Sequence, residues 1–221
     1  SDEPQASLAA RNVLEQGGTA ADAAVALYFT LSITQPQAAG LGGGGVCLAS
    51  NPGTGVTESI EFLPREATAG GGVAVPGNVR GFALLHARHG RTSWSKLLAP
   101  AERLAATGTP MSRAMVQALA PYRNLLASQP QLLPGYAGTP LRELENLSQI
   151  QLAATLGQIR SQGVNAFYVG DGANRLARGI QDAGGKVSAN DLRNYRPVVS
   201  ATQKQIVQGA ELHLPSRNTG A

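Results

Sequence analysis

Residues 39–50 read AGLGGGGVCLAS, with Gly42 to Gly45 in an unbroken run behind Gly40. Such a run marks a phosphate cradle, a flexible linker, or a place where backbones must meet closely. A phosphate loop follows a strand and opens a helix, so that the helix N-terminus faces the anion. Here the order is reversed: a helical pattern precedes the glycines and the strand-like VCLAS follows them. No lysine follows as a P-loop requires, and no acidic residue stands at dinucleotide-binding spacing. Both flanks are strongly apolar and belong in a core, which excludes a free linker. What remains is a tight bend where a Cβ would be in the way.

Working outward, TAADAAVALYFTLSITQP reads as a helix with Thr19 as N-cap, Asp22 as its box partner and Pro36 at its end. It is apolar almost all round, so it is expected to be buried. Before it, PQASLAARNVLEQGG is a helix with Pro4 in its first turn, stopped by Gly17-Gly18, with Leu8, Val13 and Leu14 as its expected apolar face. After the glycines, VCLAS and the alternating VTESIEF flank the turn-forming NPGTG, which predicts a β-hairpin. LPREATAGGG reads as a loop, and VAVPGNVRG leads into a helix at FALLHARHG. Further helices are predicted at SWSKLLAPAERLAATG, SRAMVQALAPYRNLLAS and LENLSQIQLAATLGQIRSQG, with a Pro- and Gly-rich loop over 129–140. AFYVGDGANRLARGIQDAGG predicts a short extended piece, then a helix closed by Gly184-Gly185. SANDLRNY fits a capping box between Ser188 and Asp191. The stretch after Tyr195 predicts two strands around Gln208-Gly209. Helices, a hairpin, more helices and further strands do not alternate as β-α-β units do, and the pattern predicts an α+β or layered arrangement with antiparallel pairing.

The chain has 221 residues, enough for one or two domains with a sizeable core. Charged residues make up 14% and aromatics 5%, so small side chains must do most of the packing. The net charge is +4 and the pI about 9.6. The basic residues are nevertheless scattered, with no block interleaved with aromatics, which argues against nucleic acid as a partner. No apolar run is long enough to span a membrane; the longest, near Ala23–Ile33, follows Asp22. No signal peptide is legible at SDEPQAS, a start that fits either processing or an arbitrary boundary.

Chemistry-bearing residues are sparse. The single cysteine, Cys47, lies in an apolar run and reads as a small buried hydrophobe. His86 and His89 share a helix face, but no third ligand is indicated, so they read as a solvated helix end and no metal site is predicted. Glu143 and Glu145 read as acids flanking a helix start. Neither a Ser-His-Asp set nor a G-x-S-x-G elbow is present. Arg65 stands directly after the second strand, where a guanidinium can grip a carboxylate through two N–H groups or form a salt bridge with a nearby acid.

The stretch LEQGGTAADAAVALYFTLSITQPQAAGLGGGGVCLAS, with Gly17-Gly18, Asp22–Ala26, Pro36 and Gly40–Gly45 in that order, resembles the N-terminal region of γ-glutamyltranspeptidases. AVPGNVRGFALLHARHGRTSW continues the likeness with His89 where the family has Tyr, and so do LLAPAERLAATGTPMS and AFYVGDGANRLARGIQDAGGKVSANDLRNYRPVV. It extends over about residues 6–200. The resemblance implies an α+β, four-layer αββα sandwich of the N-terminal-nucleophile hydrolase type. Residues 1–221 would form the large subunit, sharing one domain with a small subunit cut from the same precursor. The family's nucleophile is a Thr at the start of that small subunit, so no catalytic residue is expected in this chain. No cofactor and no metal are implied. A γ-glutamyl or other acyl amide would be the small-molecule partner, and a periplasmic or secreted location follows from family habit.

Within the family's Asp-Phe-Arg-Glu segment, Arg65 matches the arginine that holds the substrate α-carboxylate. Here the segment reads Glu61, Phe62, Leu63, Pro64, Arg65, Glu66, two residues longer before the arginine. That departure leaves room for a related amide acylase with a different acyl group, or for a non-cleaving relative that acts as a binding protein. The chain is also shorter than the family's large subunits, so cleavage after Ala221 or a missing tail is expected.

Overall fold

The computed structural model describes residues 1–128 and 141–216. The loop predicted over 129–140 and the last residues of the chain lie outside the described residues. The chain divides into two compact units, one of residues 1–40 and 91–163, the other of residues 41–90 and 164–221.

The first unit is helical. α1 (Pro4–Glu15), α2 (Ala20–Thr34), α5 (Trp94–Thr107) and α8 (Ile150–Gln162) pack as a series, α1 on α2, α2 on α5 and α5 on α8. α2 forms as the sequence predicts: Thr19 and Asp22 complete the capping box, and Val25, Phe29 and Ile33 are fully buried. α1 differs. Leu8 and Leu14 are more than half exposed, and Ala6 is the residue it buries completely, so close approach of a small side chain replaces the expected leucine face. Its N-cap is Glu3, whose carboxylate accepts from the amides of Gln5 and Ala6. A short helix, α3 (Pro36–Ala39), follows α2. The helix expected over residues 112–128 is interrupted at Pro121: α6 (Arg113–Leu119) and α7 (Arg123–Ser128) flank a 3-10 turn at Ala120–Tyr122. The helix expected from Leu144 begins only at Ile150, because Asn146–Leu147 (β6) pairs with Thr109–Pro110 (β5). Glu143 and Glu145 therefore precede a strand and not a helix; Glu143 is paired with Arg113 at 3.1 Å.

The second unit carries the sheet. β1 (Val46–Asn51) and β2 (Val56–Glu61) form the predicted antiparallel hairpin, and β7 (Val198–Ala201) adds to β2 with Ile60 opposite Val199. α4 (Asn78–His89) lies on this sheet and is tied to it by Arg88 and His89, both on Glu58. His89 is thus hydrogen-bonded to Glu58 at 2.7 Å, not part of a solvated helix end. α4 also starts four residues before the predicted FALLHARHG and takes in Gly81, a poor helix former that packs against the Phe62 ring. β3 (Arg65–Glu66), inside the expected loop, pairs with β4 (Ala74–Val75), in the stretch expected to lead into the helix, as a two-residue ladder. The predicted extended AFY is instead a helical turn, α9 (Asn165–Tyr168), followed by α10 (Gly170–Asp182); burial of Phe167 and Tyr168 decides it. α11 (Ala189–Asn194) has the expected Ser188–Asp191 box, and that carboxylate also accepts from the Thr68 amide at 3.1 Å. β8 (Gln203–Val207) and β9 (Ala210–Leu214) form the last hairpin, with positive φ at Gln208 and Gly209.

Candidate substrate-binding site

The glycine run decides where Arg65 stands. The Gly45 amide donates to the Phe62 carbonyl at 3.3 Å and the Phe62 amide donates back at 2.8 Å. The Gly43 carbonyl accepts from Gly77 and Asn78 at 2.8 and 3.0 Å, which starts α4. A Cβ on Gly44 would lie 2.4 Å from the Phe62 carbonyl oxygen and 2.5 Å from Pro64 Cδ. One on Gly77 would lie 1.9 Å from the same carbonyl, and one on Gly81 2.0 Å from the Phe62 ring. Positive φ is not the reason for the run, since none of Gly40–Gly45 is among the glycines with that conformation. At Gly44 the reason is contact, with residues 43–45, 62–64 and 77 layered backbone on backbone, whereas a Cβ on Gly42 would meet open space. The Phe62 ring is 2% exposed, so the segment that leads to Arg65 starts from an anchored residue.

Arg65 opens β3, with Val75 opposite it. The side chain is exposed. Its Nη2 donates to the Arg196 carbonyl at 2.8 Å, and its guanidinium carbon lies 5.2 Å from the centroid of the Tyr195 ring. Among the described residues no carboxylate pairs with it. A guanidinium carries five N–H donors in a planar fork, so donors remain for an anionic ligand.

Behind Arg65 lies a stack of aromatic rings. Tyr195 and Tyr168 are parallel within 16°, centroids 6.2 Å apart. The Arg80 guanidinium sits 4.3 Å from the Tyr168 centroid, and its Nη1 faces the carbonyls of Leu192 and Arg193 at 3.1 Å and that of Tyr195. The hydroxyl of Tyr195 donates to the Leu63 carbonyl and that of Tyr168 to the Pro76 carbonyl, each at 2.9 Å. Burial pushes the Tyr195 phenol up to about 12, against the opposing pull of Arg65 and Arg80. Burial likewise raises Tyr168 well above the ordinary phenol value. Both rings therefore keep their protons and act as donors. Burial, and then the nearby Arg196, lowers the Arg80 pKa, although a guanidinium remains charged at neutral pH.

Cys47 sits on β1 opposite Ile60, half-buried where the sequence suggested full burial. Desolvation pushes its thiol up to about 11, so it is protonated at neutral pH and no nucleophile. Among the described residues no three His, Cys, Asp or Glu side chains are grouped to hold a metal ion, and no helix is long and apolar enough to cross a membrane. Of the site described here, sequence reasoning located Arg65 and the glycine bend. It missed Tyr195, Tyr168 and Arg80, for which the sequence carries no local signal beyond an aromatic at the end of the capped helix α11.

The mixed helix-and-sheet fold is that of the N-terminal-nucleophile hydrolases. It superposes on the crystal structure of Helicobacter pylori γ-glutamyltranspeptidase with a TM-score of 0.94 and 25% identity, covering 100% of this chain and 70% of that one. The chain is 35% identical over 217 residues to a glutathione hydrolase proenzyme of Bacillus subtilis (strain 168), covering 87% of this chain and 37% of the relative. It is 34% identical over 211 residues to Scoloptoxin SSD14 of Scolopendra dehaani, covering 86% and 37%. The γ-glutamyltranspeptidase family model matches residues 6–220, and the chain belongs to that family. It spans 37% of the length of these two curated relatives.

Proposed function

We propose that residues 1–221 form the large, substrate-gripping subunit of an enzyme that hydrolyses or transfers γ-glutamyl groups of glutathione-like amides. The observation that carries the reading is an exposed Arg65 with unused donors and no acid partner among the described residues, in a chain of this family. Arg65 grips the substrate α-carboxylate through its guanidinium fork. The nucleophile is a Thr hydroxyl at the start of a small subunit released from the same precursor by self-cleavage. The Thr α-amine accepts the hydroxyl proton as Oγ attacks the γ-carbonyl carbon, the C–N bond breaks, and the amine leaves with a proton. Water or an amino acid then attacks the ester and frees Oγ. The enzyme acts outside the cytoplasm.

The complete protein, incubated with γ-glutamyl-p-nitroanilide, is expected to release nitroaniline and to show two chains on a denaturing gel, the second beginning with Thr. Arg65→Ala is expected to raise KM about 30- to 150-fold, the loss of a charge-assisted pair worth about 2–3 kcal/mol. A single uncut chain without activity would leave a non-cleaving binding protein as the reading. The added Leu63-Pro64 in the substrate-gripping segment favours a second reading, an acylase for a different acyl amide. Cleaved protein that ignores γ-glutamyl-p-nitroanilide but turns over another acyl amide, with Arg65→Ala unimpaired, decides for it.

A further inference from the structure

We infer that Tyr195 is a positioning residue for Arg65, and that Arg80 holds Tyr195 in place. The inference rests on the reading of Arg65 as the group that grips a substrate carboxylate.

Tyr195 touches the Arg65 segment twice. Its ring lies under the guanidinium at 5.2 Å, and its hydroxyl donates to the Leu63 carbonyl at 2.9 Å, two residues before Arg65. The Leu63-Pro64 pair would otherwise lengthen the path from buried Phe62 to Arg65 and let the side chain drift. The backbone on the other side is closed by contact: the Gly77 Cα stands so near that a Cβ there would be 2.5 Å from the Tyr195 hydroxyl. The Arg196 carbonyl, next along the chain from Tyr195, accepts from Arg65 Nη2. Ring, hydroxyl and neighbouring carbonyl thus hold the arginine at three points.

Tyr195 ends α11, where chain ends of helices are easily displaced. Arg80 prevents this. Its Nη1 faces the carbonyls of Leu192, Arg193 and Tyr195, and its guanidinium lies over the ring of Tyr168, on which Tyr195 stacks. Arg65 lies over Tyr195, Tyr195 stacks with Tyr168 and Arg80 lies over Tyr168, so each ring carries a cation, which the negative faces of the rings favour. Tyr168 in turn is bound to the Pro76 carbonyl, next to the Gly77 that meets the glycine run.

The test uses the complete processed protein and γ-glutamyl-p-nitroanilide. Tyr195→Phe keeps the ring and removes only the hydroxyl, so KM rises about fivefold while kcat stays within about twofold. Arg80→Met raises KM in the same sense, because the α11 end is released. In an Arg65→Ala background Tyr195→Phe has no further effect on KM, since there is no guanidinium left to place. A purely structural tyrosine would instead give the same added defect in both backgrounds. An unchanged KM for Tyr195→Phe, or an additive effect with Arg65→Ala, overturns the inference while leaving the reading of Arg65 intact. An unchanged KM for Arg65→Ala overturns that reading and the inference together.

Discussion

Asp22→Ala is expected to destabilise the helical unit strongly. The carboxylate is fully buried and accepts from the backbone amides of Thr19 at 2.9 Å, Arg91 at 3.0 Å and Thr92 at 3.1 Å. It therefore closes the capping box of α2 and also fastens the loop that leads into α5. Alanine leaves these N–H groups without their acceptor. A buried unsatisfied donor costs about 1–3 kcal/mol and a lost cap about 1, but water entering the gap restores part, so about 3–4 kcal/mol is expected in total. With a urea slope of about 2 kcal/mol/M, the unfolding midpoint falls by about 1.5–2 M. Trp94 is the sole tryptophan, and its ring lies 5.4 Å from that of Phe29 on α2, so its fluorescence reports this unit directly. Asp22→Asn, which keeps one acceptor oxygen, is expected to lose about half as much. The pH dependence has a definite sign. Burial raises the Asp22 pKa, the hydrogen bonds from Thr19, Arg91 and Thr92 together lower it by more, and the net shift is downward. Its stabilisation is therefore complete above the unfolded carboxyl value of about 3.9 and is lost as pH falls through the lower folded value. Wild-type protein should weaken in that range more steeply than Asp22→Ala. A midpoint within about 0.3 M of wild type would refute the accounting.

Two more predictions concern the sheet-bearing unit. Gly81→Ala places a methyl group inside the Phe62 ring, so Phe62 must leave its site or α4 must shift; a loss of about 2–4 kcal/mol in chemical denaturation is expected, and a neutral result would refute the close packing. Cys47, with its thiol held near 11, is expected to resist iodoacetamide at pH 7.5 in the native protein and to react once unfolded in urea; rapid native labelling would show that the thiol is more exposed than its place opposite Ile60 implies.

Where local rules govern, the sequence was legible. The Thr19–Asp22 and Ser188–Asp191 boxes, the β1–β2 hairpin and the Gln208-Gly209 turn all form where residue chemistry places them. The misses share one cause, a tertiary partner stronger than a local preference. Leu8 and Leu14 satisfy helical periodicity, yet α1 packs through Ala6 because close helix approach favours the small residue. AFY has strand-like composition but turns helical because Phe167 and Tyr168 are taken into the core. Asn146-Leu147 leaves the helical pattern to pair with Thr109-Pro110. At the site, Arg65 could be chosen by its position after a strand, but the rings behind it come from residues 103 to 130 positions further along the chain, and no window of sequence contains both.

Residue order alone is enough to say that AGLGGGGVCLAS is no phosphate loop, since helix–glycine–strand order presents no helix N-terminus to an anion. It also determined the family, through an ordered set of motifs spread over most of the chain. Why Gly44 is a glycine follows from the folded structure. None of Gly40–Gly45 needs a positive φ; Gly44 needs the absence of a Cβ, because the Phe62–Pro64 backbone lies against it. That contact is non-local, between segments about twenty residues apart in the chain, and it is what carries Arg65 to the Tyr195 ring.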